Sequence, residues 1–352
     1  MRPFMRAVVL DDVGDSSTLR PRMLPVPEPP RGWVRVQVRA AGVQGSDLYP
    51  LRERADGGRV PFVPGIEAVG VVETSASERF GAGEQVAVVL GGTRRTFGGG
   101  YAQYMVVPDS AVTAFRSGLP WSVLGAVPET LQTAYGSLSV GIGLQAGQSL
   151  LIRGGTSALG YVATALAVDR GATVLATTRR ADRLGDLARR GVHVPLVDNG
   201  KVAEQVRSMM PDGVDAALEL VGTGTLRDTL DATRMQGTVC ITRMLSGQRA
   251  VEGFRPVDYL PRGVRLTAYN GAAPDLPAAV LQRHLDMIAD GRIDRGPVMT
   301  YPLDQASRAH DDIEHGRVFG KAVLIVDHDP DRVTARTESS SYDRTACEGD
   351  GR

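Results

Sequence analysis

One stretch in the middle of the chain, Ser149 to Arg183 (SLLIRGGTSALGYVATALAVDRGATVLATTRRADR), constrains the fold more than any other. A short apolar run, Leu150 to Ile152, meets Gly154, Gly155, Thr156 and Ser157, and an almost wholly apolar segment then continues to Val168. That order is strand, tight turn and buried helix. After Gly171 a second apolar run, Val174 to Ala176, ends in Thr177, Thr178, Arg179 and Arg180, completing a βαβ unit of about 30 residues. Such a turn aims backbone N–H groups and the positive end of a helix dipole at an anion, and its glycines let a pyrophosphate approach the main chain. Gly155, Thr156, Ser157, Ala158 and Leu159 are therefore the expected dinucleotide contacts.

The end of the second strand indicates which dinucleotide. A site for NAD places an acidic residue there, about 20 residues beyond the glycine turn, to hold the ribose 2′-hydroxyl; NADP sites favour arginine. Here Thr178, Arg179 and Arg180 occupy the strand end, with Arg183 one helical turn on, and no carboxylate replaces them. Thr178, Arg179 and Arg183 are expected to hold a 2′-phosphate, because a guanidinium binds phosphate through charge-assisted, often bidentate hydrogen bonds. Arg180 reads as a solvated surface residue. The expected cofactor is NADPH.

At 352 residues the chain exceeds the size at which a single core keeps growing, so two domains are expected. Its 40 basic and 40 acidic residues cancel, which gives no electrostatic reason to expect nucleic acid or an anionic membrane as partner. The opening MRPFMRAVVLDDVG lacks a signal-peptide apolar region, and no apolar run approaches the roughly 18 residues of a membrane span, so a cytoplasmic location is expected. Cys240 and Cys347 are too few for a disulfide framework or a four-cysteine zinc site. The five histidines show no metal-ligand spacing.

Residues 5 to 125 read as β-rich. Val34, Val36 and Val38 alternate with Arg35, Gln37 and Arg39, as in a strand with one wet face, and Glu67 to Glu73 and Glu84 to Val89 fit two more strands. Gly70 marks a close approach or a bulge. From about Pro128 helices and strands alternate, the pattern of a mostly parallel sheet covered on both faces. Its later strands are expected at His193 to Val197, Asp215 to Val221, Gly237 to Thr242 and Val264 to Ala268, with a surface helix over Ala181 to Arg190. A helix from Leu276 to Ala289 stops at Gly291, Gly320 to Val326 is a closing strand, and residues 331–352 have the composition of a disordered tail.

Several stretches in order, AGVQGSDLY (41–49), VPFVPGIEAVGVVE (60–73), PETLQTAY (128–135), GGTSALG (154–160), ELVG (219–222) and GRVFGKAVL (316–324), resemble the medium-chain dehydrogenase/reductase superfamily, specifically its zinc-independent quinone oxidoreductase and enoyl reductase branch. The resemblance implies an α/β protein with a β-rich, barrel-like catalytic domain from residues 1–126 and 271–330. A Rossmann NADP-binding domain, residues 127–270, is inserted in it. Zinc enzymes of the superfamily carry cysteine where this chain has Gln44, histidine where it has Ile66, and a further cysteine near Glu129, so no metal is expected.

The same resemblance implies hydride transfer from NADPH to a quinone, enone or other conjugated carbonyl. Gln44 and Tyr49 are the implied substrate-facing residues, with Asp47 and Glu67 as framework. Thr133, Val221, Gly222, Thr242 and Lys321 are the implied further cofactor contacts, although the segment Ile241 to Met244 (ITRM) lacks the glycine often found there. A small-molecule substrate and a homodimer are also implied. Two alternatives stay open: a non-redox step such as cyclisation or isomerisation in the same cleft, and a catalytically idle nucleotide-binding protein.

Overall fold

The computed structural model describes residues 3–12, 16–47, 61–90, 98–248, 250–271, 275–318 and 320–328. Tyr49, the loop at 51–60, most of the loop at 94–100 and the segment 331–352 lie outside the described residues. The chain opens with an antiparallel pair, β1 (Phe4–Leu10) and β2 (Leu19–Pro25). It continues with β3 (Trp33–Gly42), β4 (Glu67–Ser75), β5 (Gln85–Val89), β6 (Tyr104–Pro108) and β7 (Val112–Ala114). Val34, Val36 and Val38 of β3 are buried as the alternation requires. The opposite face is drier than expected, because Arg35 is itself buried there and held by Glu73 (2.6 Å) and Glu28 (3.0 Å). Gly70 is a close approach: a Cβ there would collide with the Gln37 carbonyl, beside a register shift in the β3–β4 pairing.

The next six strands are all parallel: β8 (Ser149–Arg153), β9 (Thr173–Thr178), β10 (Val194–Val197), β11 (Val214–Glu219), β12 (Thr233–Ile241) and β13 (Arg265–Ala268). Their order, β10-β9-β8-β11-β12-β13, is that of a doubly wound dinucleotide fold. Every residue of β8 is buried, because Leu150 and Ile152 pack under one layer of helices while Leu151 packs under the other. Burial on both faces is why the strand reads as a continuous apolar run.

Two more strands, β14 (Val298–Pro302) and β15 (Lys321–Ile325), return to the first domain. There β15 pairs antiparallel with β3, giving the sheet order β14-β15-β3-β4-β5-β7 with β6 also on β3. Both ends of the chain thus build one mostly antiparallel domain, in which only β14 and β15 run parallel among the described pairs, and the Rossmann sheet is inserted between them. No helix among the described residues is long and apolar enough to cross a membrane.

Some boundaries move for identifiable reasons. Strand β11 ends at Glu219, two residues before the expected Val221, because the Glu219 carboxylate accepts hydrogen bonds from the N–H groups of Val221 (2.7 Å) and Gly222 (3.1 Å). The helix expected from Leu276 begins at Ala278, behind Pro277. The surface helix expected over 181–190 is a 3-10 turn, Ala181–Arg183, followed by the helix Leu184–Arg189.

Arg153, the last residue of β8, is fully buried and ties three segments together. Asp198 accepts from its Nε (2.5 Å) and Nη2 (2.8 Å), and Asp228 accepts from its Nη1 (2.6 Å). Removing one partner of a buried ionic cluster strands the others in a low-dielectric site. Arg153→Met is therefore expected to lower stability by about 3–5 kcal/mol in urea denaturation; a loss below about 1 kcal/mol, the scale of a surface pair, would show that the cluster is not structural.

Candidate active site

A cleft of about 1160 Å³ runs between the two domains. Its outer half is the turn after β8. Gly154 has φ +90°, and a Cβ on Gly155 would come within 2.7 Å of the Ala176 Cβ, so the turn lies directly on β9. A Cβ on Gly160 would lie 2.6 Å from the Gly155 carbonyl, so a glycine is also needed where the helix Ala158–Asp169 crosses the turn. Ser157 caps this helix: its Oγ accepts from the Gly160 N–H (3.0 Å) and donates to the Gly154 carbonyl (2.9 Å). Ala158 and Leu159 are the first two helical residues, whose N–H groups have no acceptor within the helix. Thr156, Ser157, Ala158 and Leu159 all line the cleft, whereas Gly155 supports the turn from behind.

The end of β9 completes this half. Thr178, Arg179 and Arg183 line the cleft. Thr178 Oγ1 accepts from the Arg180 N–H (3.3 Å). Arg180 is exposed and paired with Asp182, and Arg183 lies 3.8 Å from Asp186. Arg179 is exposed, and no described ion pair involves it. Val221 and Gly222 are not among the lining residues; Ser246 donates its N–H to the Val221 carbonyl (2.8 Å) in front of them.

The inner half is a buried polar floor. Gln44 follows β3 and donates from Nε2 to Glu67 Oε1 (2.9 Å) and Glu129 Oε2 (2.5 Å). Lys321, the first residue of β15, donates from Nζ to Glu67 Oε1 (2.5 Å). It is buried on a strand that lies between β14 and β3. Glu129 stands in the first turn of the helix Pro128–Gly136, and its N–H donates to Glu67 Oε2 (2.9 Å). Arg243, two residues beyond β12, donates to both oxygens of Glu129 (2.9 and 3.0 Å). Burial acts to raise the Glu129 carboxyl, but the charges of Arg243 and Lys321 and the hydrogen bond from Thr133 outweigh it and hold the group below its ordinary range.

Of the inner-half residues expected from sequence, Gln44, Thr133, Thr242 and Lys321 line this cleft. Thr133 donates to Glu129 (3.0 Å), and Thr242 shares a hydrogen bond with Ser137 (2.8 Å). Arg243 lies in the segment expected near the cofactor, but its ion pair with Glu129 does not follow from the sequence, and neither does the presence of Tyr269 and His310 in the lining. The departure of ITRM from the usual glycine was the available signal for Arg243. Nothing local marks His310.

Asp47 organises the loop beneath the floor. Its carboxylate accepts from the N–H groups of Gln44 (2.8 Å) and Ile66 (3.1 Å) and from the Tyr101 hydroxyl (2.9 Å), which also meets His310 Nε2 at 3.0 Å. It thus fixes the backbone on both sides of the floor.

A parallel dinucleotide-type sheet inserted in an antiparallel domain, with a cleft between them, defines the two-domain dehydrogenase class. Comparison with known proteins places the chain within that class. Residues 30–117 match the family model described as alcohol dehydrogenase GroES-like domain, and residues 190–324 match the one described as zinc-binding dehydrogenase. The quinone oxidoreductase of Sus scrofa is 27% identical over 318 residues, 86% of this chain and 91% of that protein. Prostaglandin reductase-3 of Bos taurus is 32% identical over 254 residues, 69% of this chain and 63% of that protein. The crystal structure of AibC superposes with a TM-score of 0.81 at 27% identity, covering 93% of this chain and 97% of that one. The chain belongs to the medium-chain dehydrogenase/reductase superfamily, in its quinone oxidoreductase-like family, a family of oxidoreductases that use a nicotinamide cofactor.

Asp47 also yields a test. Burial pushes its carboxyl up to about 6, against the opposing hydrogen bonds from Gln44, Tyr101 and Ile66. An unfolded aspartate titrates near 3.9, so the folded chain holds this proton more tightly. The resulting contribution to stability is complete below about pH 4 and lost as pH rises through about 6. The stability of the wild type relative to Asp47→Asn is expected to fall by on the order of 2–3 kcal/mol between pH 4 and pH 7 in parallel denaturant titrations. A difference that stays flat across that range would exclude the shift.

Proposed function

We propose that the protein is an NADPH-dependent, zinc-independent oxidoreductase that reduces a quinone, enone or other conjugated carbonyl. The observation that carries this reading is the continuity of one cleft, from the capped helix N-terminus and Arg179 at one end to the buried Gln44–Glu67–Glu129 floor at the other. The outer half suits a pyrophosphate on the Ala158 and Leu159 N–H groups and a 2′-phosphate on Arg179, with Thr178 and Arg183 beside it. Thr133 and Thr242 then lie toward the nicotinamide end. When bound, the dinucleotide supplies a hydride to the electrophilic carbon of the acceptor.

The floor does not suit a zinc ion. Zinc is bound by thiolates, imidazoles and carboxylates, and a catalytic site needs three such protein ligands. Gln44 presents amide N–H groups to both carboxylates, Ile66 is apolar, and Lys321 and Arg243 already neutralise Glu67 and Glu129. A conjugated carbonyl needs no Lewis acid, because it delocalises the incoming charge onto its own oxygen. The protein's part is to place the acceptor, exclude water and hydrogen-bond that oxygen. Tyr49, whose sequence position faces the substrate in related reductases, is the proposed further contact with it.

We also propose a homodimer through the outer strand β13, beside which Met235 and Val257 are exposed. Light scattering is expected to return twice the chain mass, and a monomer mass would refute it.

The reading is tested by following NADPH absorbance with a panel of quinones and enones, alongside direct titration of NADPH and NADH. Turnover with at least one acceptor is expected; tight NADPH binding with no turnover across the panel would turn the assignment to a non-redox or idle protein. Arg179→Ala is expected to weaken NADPH binding about 10- to 100-fold, the value of a charged hydrogen bond, while leaving NADH nearly unchanged. Equal losses for both cofactors would remove Arg179 from the phosphate site.

A further inference from the structure

We infer that Arg243 is the group that hydrogen-bonds the acceptor's carbonyl oxygen during hydride transfer, an inference that rests on the function proposed above. Arg243 reaches from the end of β12 across the cleft to the floor, with 28% of its side chain exposed. Its described hydrogen bonds all leave from one nitrogen, Nη2, to Glu129 Oε1, Glu129 Oε2 and Gln44 Oε1 (3.4 Å). A guanidinium carries five N–H donors in one rigid plane, so pinning Nη2 fixes the direction of the three on Nε and Nη1. Those three have no described partner.

The other polar donors of the floor are either spent or more deeply buried. Both amide protons of Gln44 go to carboxylates, at 2.9 Å and 2.5 Å, and its Oε1 is an acceptor facing Arg243. Turning the amide over would set Oε1 against two carboxylates and the NH₂ against a guanidinium, so electrostatics favour the orientation observed. Gln44 accordingly acts as a spacer that positions Arg243 and Glu129, and does not reach the substrate as a donor. Lys321 is buried on Glu67, and the Thr133 hydroxyl is spent on Glu129. Lys321 also keeps N–H groups, but only 9% of its side chain is exposed; Arg243, with 28% exposed and three N–H groups beyond those on Nη2, is the more accessible cation of the described floor.

The charges define the ligand. Two carboxylates, Glu67 and Glu129, face two cations, Lys321 and Arg243, so the floor is neutral before substrate enters. It suits a neutral carbonyl compound in which negative charge then develops on oxygen. As the hydride bonds to the β-carbon, the double-bond pair shifts and the carbonyl π pair settles on oxygen, where Arg243 donates to it. A guanidinium stays protonated, so the enolate takes its proton at the α-carbon from solvent. The count closes: NADPH is oxidised to NADP⁺, and the acceptor gains one hydride and one proton. Arg243 thus does by hydrogen bonding what a metal does as a Lewis acid.

Arg243→Met and the double variant Arg243→Met with Glu129→Gln separate this role from a structural one. Arg243→Met is expected to lose about 100- to 1000-fold in kcat, the usual effect of removing one oxyanion donor, with NADPH affinity within about threefold of wild type. The double variant removes the carboxylate that Arg243→Met leaves unpaired, and it is expected to stay as slow. Recovery of kcat to within about threefold of wild type in the double variant would overturn the inference, because Arg243 would then only neutralise Glu129. An independent readout is the binding of 4-nitrophenol, whose absorption distinguishes phenol from phenolate. Wild type is expected to bind the phenolate at least about tenfold more tightly than Arg243→Met, the lower end for a charge-assisted bond. Equal or absent phenolate binding in wild type overturns the inference whatever the turnover. Phenolate binding through Arg243 together with no NADPH oxidation across the acceptor panel would keep the oxyanion site and sink the reductase reading.

Discussion

The rest of the site depends on the burial of one carboxylate. Glu67 is fully buried at the start of β4, and a charge there is tolerable only if its lone pairs are filled. It accepts from Gln44 after β3, from Lys321 at the start of β15 and from the backbone of Glu129 in the helix that enters the Rossmann domain. The partners of this one side chain are drawn from segments 23, 62 and 254 residues away in sequence. The same carboxylate explains Gly42, where a Cβ would collide with Glu67 Oε1. The glycine in AAGVQG is thus space left for an acid.

From that anchor the floor is built outward in alternating charge. Lys321 offsets Glu67, Glu129 receives Gln44 and Thr133, and Arg243 closes the series from the other domain. The links from Glu129 to Gln44 and Glu67 cross between the domains, so the complete floor exists only when both are docked. The outer half obeys a different rule. There the glycines at 155 and 160 allow the turn to lie close against its neighbours, and the proposed anion contacts are main-chain N–H groups that any residue type could supply.

That difference explains which features were legible in the sequence. The βαβ unit, the parallel strands and the turn could be read because they depend on local periodicity and on glycine at fixed offsets. The place of Arg179 on the cleft could be read because it follows the second strand directly. The reading of Gln44 as a substrate-facing residue did not anticipate that two carboxylates from distant segments take its protons. The reading of Lys321 as a cofactor contact likewise did not anticipate its ion pair: its strand lies inside the sheet, between β14 and β3, with its ammonium turned onto Glu67. Val221 and Gly222 were placed near the ribose by likeness to relatives, while here the Glu219 carboxylate and the Ser246 N–H tie down their backbone behind the cleft wall.

By itself, the sequence determined the class of fold and the place of the glycine turn, because each is written in short-range patterns of apolar residues and glycine, while the inserted order of the domains came from the family resemblance. The opening stretch, Ser149 to Arg183, therefore kept its meaning once folded. Only the tertiary structure decided which charges meet. Glu67, Glu129, Arg243 and Lys321 are single residues without a spacing rule, and their pairing follows from strand register and domain docking. Long-range electrostatics has no sequence period, so the polar floor of the cleft became readable only in three dimensions.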